Sequence, residues 1–205
     1  MKLYYSPGAC SLSPHIALLE AGLPYDLVKV DLRAKKLVNG DDFLQVNPKG
    51  QVPALALDTG EMVTEGPIII QMIADKVADK KLAPARDSNE RYKLLEWLNY
   101  ITTELHKNLG PMFSPVLADD AKAFFKDRAM GKFKYVDSQL AGREYLMGSQ
   151  FTVADGYLFT MIMWAQDRLG FDLSGLPNVT AYKARVAARP KVQEALKKEG
   201  LLKAA

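Results

Sequence analysis

The stretch YSPGACSLSPHIALLEAG, from Tyr5 to Gly22, leaves the chain around it little freedom. Leu3, Tyr4 and Tyr5 read as a strand and Ser6, Pro7 and Gly8 as a turn. Ile16 to Leu19 is the apolar run of a helix that Gly22 and Pro24 bring to an end. Pro14 would break a helix interior, so it belongs in the first turn, where backbone N–H groups lack intrahelical partners. The spacing therefore predicts Cys10 or Ser11 as the cap and sets the one cysteine of the sequence at a helix N-terminus. Such a position stabilises an anion, a thiolate included. Against that stands the ordinary role of a lone cysteine as a small buried hydrophobe. Cys10-Ser11-Leu12-Ser13 has the redox C-x-x-C spacing with a hydroxyl in place of the second thiol, so a disulfide here needs a thiol from elsewhere.

The apolar pattern changes period repeatedly over residues 1–80 and is then helical almost throughout. This predicts two domains, 1–80 and 88–205, joined by the polar stretch Asp79 to Ser88. Tyr25 to Val30 alternates as a strand. Asp31 to Phe43 reads as a long loop, followed by at most a short helix from Asp42 to Val46, and its Lys35 and Lys36 are by default solvated. Asn47, Pro48 and Gly50 form a turn, and Ala54 to Leu57 and Met62 to Thr64 are strands around the hairpin loop Asp58-Thr59-Gly60. Pro53 enters a strand where proline spoils the ladder, which marks an edge or a special peptide geometry, a cis Val52–Pro53 bond being one form of it. Glu65 and Gly66 precede Pro67, a first-turn proline opening a helix through Val77. This second helix N-terminus suits a carboxylate, although most such ends bind water or their own cap.

From Asn89 the residues Leu94, Leu95, Leu98, Ile101, Leu105 and Leu109 fall on one helical face. Asn99, Thr103 and His106 line one border of it, with Glu104 and Lys107 adjacent. The stripe is either the edge of a solvated side or a hydrogen-bonding wall facing a cleft. Gly110, Pro111, Ser114 and Pro115 end or kink the helix, and Ala118 to Leu140 form the next, with Phe124, Phe125, Phe133, Tyr135 and Val136 as its apolar bulk. Phe151-Thr152-Val153-Ala154-Asp155 carries a capping box, Thr152 as N-cap and Asp155 at N3, with Phe151 placed for a staple. Pro177 to Arg189 and Val192 to Lys198 are the last helices. Met112, Phe113, Val116 and Trp164 suit either a pocket or the core.

A net charge of +3 spread along the chain gives no basic block, so no nucleic-acid partner is expected. One cysteine excludes an intrachain disulfide framework and points to a reducing, cytoplasmic setting. No apolar run has the length of a membrane span, so no membrane partner is expected either.

Taken together, YSPGACSLSPHIALLEAG, NPKGQVPAL, Glu65-Gly66 before a helix, His106 and FTVAD resemble the bacterial beta class of glutathione S-transferases, over essentially the whole chain. The resemblance implies an α/β thioredoxin-like N-terminal domain, βαβ then ββα, followed by an all-helical C-terminal domain. It also implies a homodimer binding glutathione at the domain cleft, without a metal. Cys10 then corresponds to the cysteine close to the glutathione sulfur and Tyr5 to a nearby tyrosine, with His106 counted among the catalytic groups. Val52, before a cis Pro53, pairs its backbone with the cysteinyl part, while Glu65 and Gly66 hold the γ-glutamyl end. Lys35, His106 and Lys107 face the site, and Asn99, Thr103 and Glu104 lie near the cleft or across the dimer. Gly66 departs from the serine usual there, which keeps the backbone N–H and loses a hydroxyl.

The implied reaction is attack of glutathione thiolate on an apolar electrophile. A glutaredoxin-like thiol-disulfide reductase and a non-catalytic ligand carrier of the same fold are the rivals.

Overall fold

Strand β1 (Lys2–Tyr5) is the middle of a five-stranded sheet, flanked by β2 (Asp26–Asp31) on one side and β4 (Ala54–Ala56) on the other. The short β3 (Lys36–Leu37) closes the β2 edge and β5 (Met62–Thr64) the β4 edge, giving the order β3-β2-β1-β4-β5 in this computed structural model, which describes residues 1–202. β1 runs parallel to β2, with Leu3 opposite Leu27, and antiparallel to β4, with Leu3 opposite Leu55. Alternation then decides the faces: Tyr4 joins Val30, Phe43, Val52 and Ala54 in one apolar cluster, and Leu3 and Tyr5 point to the other side. The mixed sheet is thioredoxin-like, as expected, with β3 as an addition. Two residues are too few to produce a period in the sequence, and the rest of that loop holds only a 3₁₀ turn at Phe43–Gln45.

Helix α1 (Leu12–Ala21) is buried on every side, Glu20 being the one residue of its length that is not. It ends as the sequence predicts, with Gly22 at φ 68° and Leu23 N–H returning to Leu18 O at 3.3 Å. A helix apolar all round needs cover on more than one flank. α1 finds it in α2 (Gly66–Asp75) and in α8 (Pro190–Lys198), and Glu20 takes a two-pronged ion pair from Arg189, at 2.7 and 2.9 Å. The division of the chain therefore differs from 1–80 and 88–205. One compact unit is Met1–Leu82 with the segment from Arg189 onward, and the other is Ala83–Ala188.

The second unit is helical throughout: α3 (Asn89–Tyr100), α4 (Lys107–Leu109), α5 (Asp119–Leu140), α6 (Val153–Met163) and α7 (Pro177–Ala187). Two π-helical segments interrupt the regular winding, Ile101–His106 after α3 and Trp164–Arg168 after α6. α6 is the central rod, buried from Val153 to Ile162. Its start is fixed by Asp155, whose fully buried carboxylate accepts Thr152 N–H at 2.7 Å, Leu146 N–H at 2.9 Å and the Tyr182 hydroxyl at 2.8 Å. Burial pushes the Asp155 carboxyl up, and these donors work against that.

Several apolar residues assigned inward are not buried. Leu95, Phe124 and Tyr135 are exposed, Phe124 at 57%, whereas Phe151 is buried, edge-on to Tyr145. Among the described residues, no helix is long and apolar enough to cross a membrane.

Candidate active site

In the first unit the turn that carries Cys10 is held from three directions. Ser11 occupies the N-cap position of α1, but its side chain does not cap the helix. It turns back to Ser6, accepting from Ser6 N–H at 3.1 Å and donating to Ser6 O at 3.2 Å. Leu12 and Ser13 N–H groups bond to Ala9 O and Cys10 O at 3.0 and 3.2 Å, and Pro14 has no N–H. First-turn donors that the sequence offers to an anion are thus committed to the turn itself. Cys10 lies just before the N-cap, partly exposed, and its thiol donates to Val52 O at 3.2 Å. Ser13 Oγ, at the spacing of a second redox thiol, is buried with no hydrogen-bond partner among the described residues.

The third hold comes from the far end of the chain. Glu199, just after α8, accepts Gly8 N–H at 2.8 Å with one carboxylate oxygen and meets His15 Nδ1 at 2.8 Å with the other. Both side chains of this pair are completely buried. His15 Nε2 lies 3.0 Å from the Tyr25 hydroxyl, which in turn accepts from Lys198 Nζ at 3.3 Å. The donors fall into one consistent chain: Lys198 to Tyr25, Tyr25 to His15 Nε2, and His15 Nδ1–H to Glu199. The Tyr5 ring lies tilted beside the His15 ring, 6.3 Å between centroids. Burial, and secondarily the Glu199 carboxylate, raises the Tyr5 hydroxyl above the ordinary tyrosine range, so it stays a neutral phenol at neutral pH.

Val52–Pro53 is cis, and Val52 O is the acceptor of the Cys10 thiol. Beyond Pro53 stands the start of α2, where Ile68 and Ile69 N–H groups bond to Glu65 O at 3.0 Å each and Pro67 has none. Gly66 N–H, at the first helical position, has no partner among the described residues. Glu65 itself sits at φ 68°, and Lys35, which donates from Nζ to Gly50 O at 2.7 Å, sits at φ 55°. Only one other non-glycine residue among those described, Lys81, has positive φ. Such backbone costs about 1 to 3 kcal/mol per residue and clusters at ligand clamps. The Glu65 carboxylate is paired with Lys49 at 2.7 Å, and Lys49 also donates to Thr64 Oγ1 at 2.9 Å. Sequence reasoning passed over Lys49, although it stands in the same Asn-Pro-Lys-Gly turn.

The other predicted residues are in the second unit, and they do not form one stripe. Asn99 and Thr103 are exposed neighbours, Thr103 Oγ1 donating to Asn99 O at 3.1 Å. Glu104 turns to Lys132 at 2.6 Å, whose hydrogen bond holds the Glu104 carboxyl below the usual range, and Lys107 is exposed. His106 is directed to α6: its Nδ1 lies 2.6 Å from the Tyr157 hydroxyl and its ring stands edge-on to Trp164 at 5.0 Å. Phe113 meets Trp164 on an edge at 5.0 Å as well, so the end of one π segment and the start of the other meet in one aromatic group. An extra residue per turn rotates everything after it, which a wheel of constant pitch cannot register. Of the residues left open between pocket and core, Trp164 is buried beside His106, while Phe113 and Val116 are exposed, Val116 at 90%.

The mixed five-stranded sheet, with Cys10 on the turn after its central strand, and the separate helical unit define a thioredoxin-like fold with an added helical domain. A model of the glutathione S-transferase N-terminal domain matches residues 8–76, and one of the C-terminal domain matches residues 103–199. The chain is 49% identical over 201 residues to glutathione S-transferase GstA of Escherichia coli O157:H7, covering 98% of this chain and 100% of that one. A beta-class glutathione S-transferase of Sphingomonas chungbukensis superposes with a TM-score of 0.95 at 48% identity, over 98% of this chain and 100% of that one. A sphingomonad glutathione S-transferase complexed with glutathione does so with 0.94 at 47% identity and the same coverage. The chain belongs to the glutathione S-transferase family, and its structural neighbours include bacterial beta-class members.

Proposed function

We propose that this protein is an enzyme that joins the sulfur of glutathione to apolar electrophiles. Beside family membership, one observation carries the reading: Val52–Pro53 has the Cys10 sulfur on one side and the start of α2 on the other. Cys10 Sγ is 3.2 Å from Val52 O, and Pro53 Cγ is 3.7 Å from the point where a Cβ on Gly66 would stand. A tripeptide laid antiparallel to Val52 brings its thiol to Cys10 and a carboxylate to Gly66 N–H. Lys35, Val52, Pro53, Glu65 and Gly66 hold it, and Tyr5 is a hydroxyl donor beside the sulfur. We further propose that His106 and Lys107 face the tripeptide and that Asn99, Thr103 and Glu104 lie near it or across the dimer. Glutathione is co-substrate and no metal takes part. The thiol gives its proton to solvent, a carbon–sulfur bond forms, and the leaving group departs with the electron pair of its own bond.

The Phe113–Trp164 pair supports an apolar electrophile, and the single cysteine a cytoplasmic setting where glutathione is reduced. Steady-state turnover of an aryl halide with glutathione tests the proposal: a rate equal to the uncatalysed one across a panel of electrophiles would leave a carrier. The partly exposed Cys10 thiol favours a second activity, thiol transfer, in the same protein. We also propose a homodimer, because Ile68, Tyr92 and Leu95 are exposed apolar side chains of the kind a symmetric contact covers. Light scattering at micromolar concentration should give twice the 22.7 kDa chain mass, and the single mass would refute it.

Gly66→Ser is expected to improve the protein. Its Cβ meets only Pro53 Cγ at 3.7 Å, an ordinary contact, and Gly66 is not at positive φ. Losing a glycine from the unfolded chain stabilises by about 0.4 to 1 kcal/mol. A hydroxyl reaching the tripeptide carboxylate should tighten glutathione binding about two- to tenfold. Gly66→Ala, compared by calorimetry, should show the first gain without the second; equal affinity of the serine and alanine variants would dismiss the hydroxyl.

A further inference from the structure

We propose that Lys49 is a further glutathione-binding residue, one that bridges the Glu65 carboxylate and the α-carboxylate of the γ-glutamyl end. This rests on the reading above, in which the tripeptide lies antiparallel to Val52 with a carboxylate at Gly66 N–H. Lys49 stands in a turn closed around the buried Asn47. Gly50 N–H bonds to Asn47 O at 2.8 Å, Lys49 N–H to Asn47 Oδ1 at 3.2 Å, and Asn47 Nδ2 donates to Gln51 O at 2.8 Å. The turn runs straight into Val52–Pro53. From it the Lys49 side chain crosses to the junction of β5 and α2, donating to Thr64 Oγ1 at 2.9 Å and to Glu65 Oε1 at 2.7 Å. The lysine thus ties the Val52 turn to the start of α2.

An ammonium group has three hydrogens. Thr64 and Glu65 take two of those on Lys49, and the third has no acceptor among the described residues. Glu65 is half used as well: Oε1 meets Lys49, and Oε2 has no partner among the described residues. The γ-glutamyl end carries an ammonium and a carboxylate on one carbon, and two adjacent residues offer a place to each, Glu65 Oε2 to the ammonium and Gly66 N–H to the carboxylate. That carboxylate then stands beside the Glu65 carboxylate, and two neighbouring anions repel unless a cation lies between them. Lys49 is the cation already bonded to Glu65, with a hydrogen left for the second anion, and that bond takes the place of the hydroxyl that Gly66 lacks. The fold has little need of the pair. Its side chains are 52% and 63% exposed, where an ion pair adds little to stability, and the Glu65 backbone is set by Ile68 and Ile69 N–H without help from Lys49.

The test is a calorimetric comparison of the full-length wild type and Lys49→Met against three ligands. These are glutathione, 4-aminobutyryl-cysteinylglycine, which lacks the α-carboxylate, and glutaryl-cysteinylglycine, which lacks the amine. Lys49→Met should bind glutathione about five- to thirtyfold more weakly, with KM rising alongside Kd and kcat nearly constant. Loss of the ligand carboxylate should weaken binding to the wild type about five- to thirtyfold more than binding to Lys49→Met, while loss of the amine weakens both alike. Equal losses of affinity in the two proteins when the carboxylate is removed overturn the contact. A difference that follows the amine instead means that Lys49 acts only by holding Glu65, and overturns it too. Lys49→Arg, which keeps the charge, should stay within about threefold of the wild type; a loss as large as in Lys49→Met would overturn the role of charge. If Lys49→Met failed to fold, Lys49→Gln carries the same comparison. A wild type that binds none of the three ligands refutes the glutathione reading itself, whereas equal glutathione affinity in the wild type and Lys49→Met refutes Lys49 alone.

Discussion

Cys10→Ala is expected to lose thiol transfer to background, a fall of roughly 10³-fold or more, while aryl-halide conjugation drops about tenfold or less. In thiol transfer the Cys10 thiolate attacks a disulfide such as oxidised glutathione. One sulfur–sulfur bond forms as another breaks, and the released glutathione thiolate carries away the electron pair. With no sulfur at position 10 there is nothing to replace the nucleophile. Conjugation uses the sulfur of glutathione itself. Cys10 then contributes at most a hydrogen bond, and its thiol hydrogen is already directed to Val52 O at 3.2 Å. Intact-mass spectrometry after oxidation should show one glutathione added to the wild type and none to the variant. Should both activities vanish in a folded variant that still binds glutathione, Cys10 is central to both reactions.

Glu199→Ala should destabilise the protein by about 3 to 5 kcal/mol, a large part of the 5 to 15 kcal/mol typical of a whole domain. It leaves the fully buried His15 Nδ1–H and the partly buried Gly8 N–H without the acceptor that both share at 2.8 Å. For a chain of this size the unfolding midpoint should fall by roughly 6 to 20 °C. Glu199→Gln should be milder, at about 1 to 3 kcal/mol. Its carbonyl still accepts from Gly8, and a reversed His15 tautomer can accept from the amide. Calorimetry of the two variants orders them. An alanine variant that melts with the wild type would mean that this network holds nothing together, and a glutamine variant as damaged as alanine would mean that charge outweighs geometry.

The first unit was more legible than the second. Tyr5 to Gly22 carries Pro14, Gly8 and Gly22, whose allowed backbone angles are few, so strand, turn, helix and cap could be read one after another. The Val52–Pro53 turn and the Glu65–Gly66 helix start were legible for the same reason. Lys49 and Glu199 were not, because an ion pair and a buried carboxylate look like surface residues until the partner is known. In the second unit the capping box at Thr152 announced α6, but His106 was placed on a wheel of uniform pitch. The π segment at Ile101–His106 sent His106 to Tyr157 and left no mark in composition or propensity. The helix at Pro190–Lys198 was legible as a helix and not as a cover for α1, since amphipathicity states that a face needs a partner without saying which.

Gly8 and Glu199 are 191 positions apart, and the whole helical unit lies between them in the chain. At the usual ribosomal pace of about 5 to 20 residues per second, Glu199 is joined to the nascent chain roughly 10 to 40 s after Gly8. Through that interval the turn bearing Cys10 lacks one of its three holds and α1 lacks one of its two flanking helices. The helical unit, contiguous in sequence, has everything it needs before the unit begun first is complete. The reactive thiol is thus translated early and finished late, and a chain stopped short of Arg189 would carry it on a turn without the Glu199 hold.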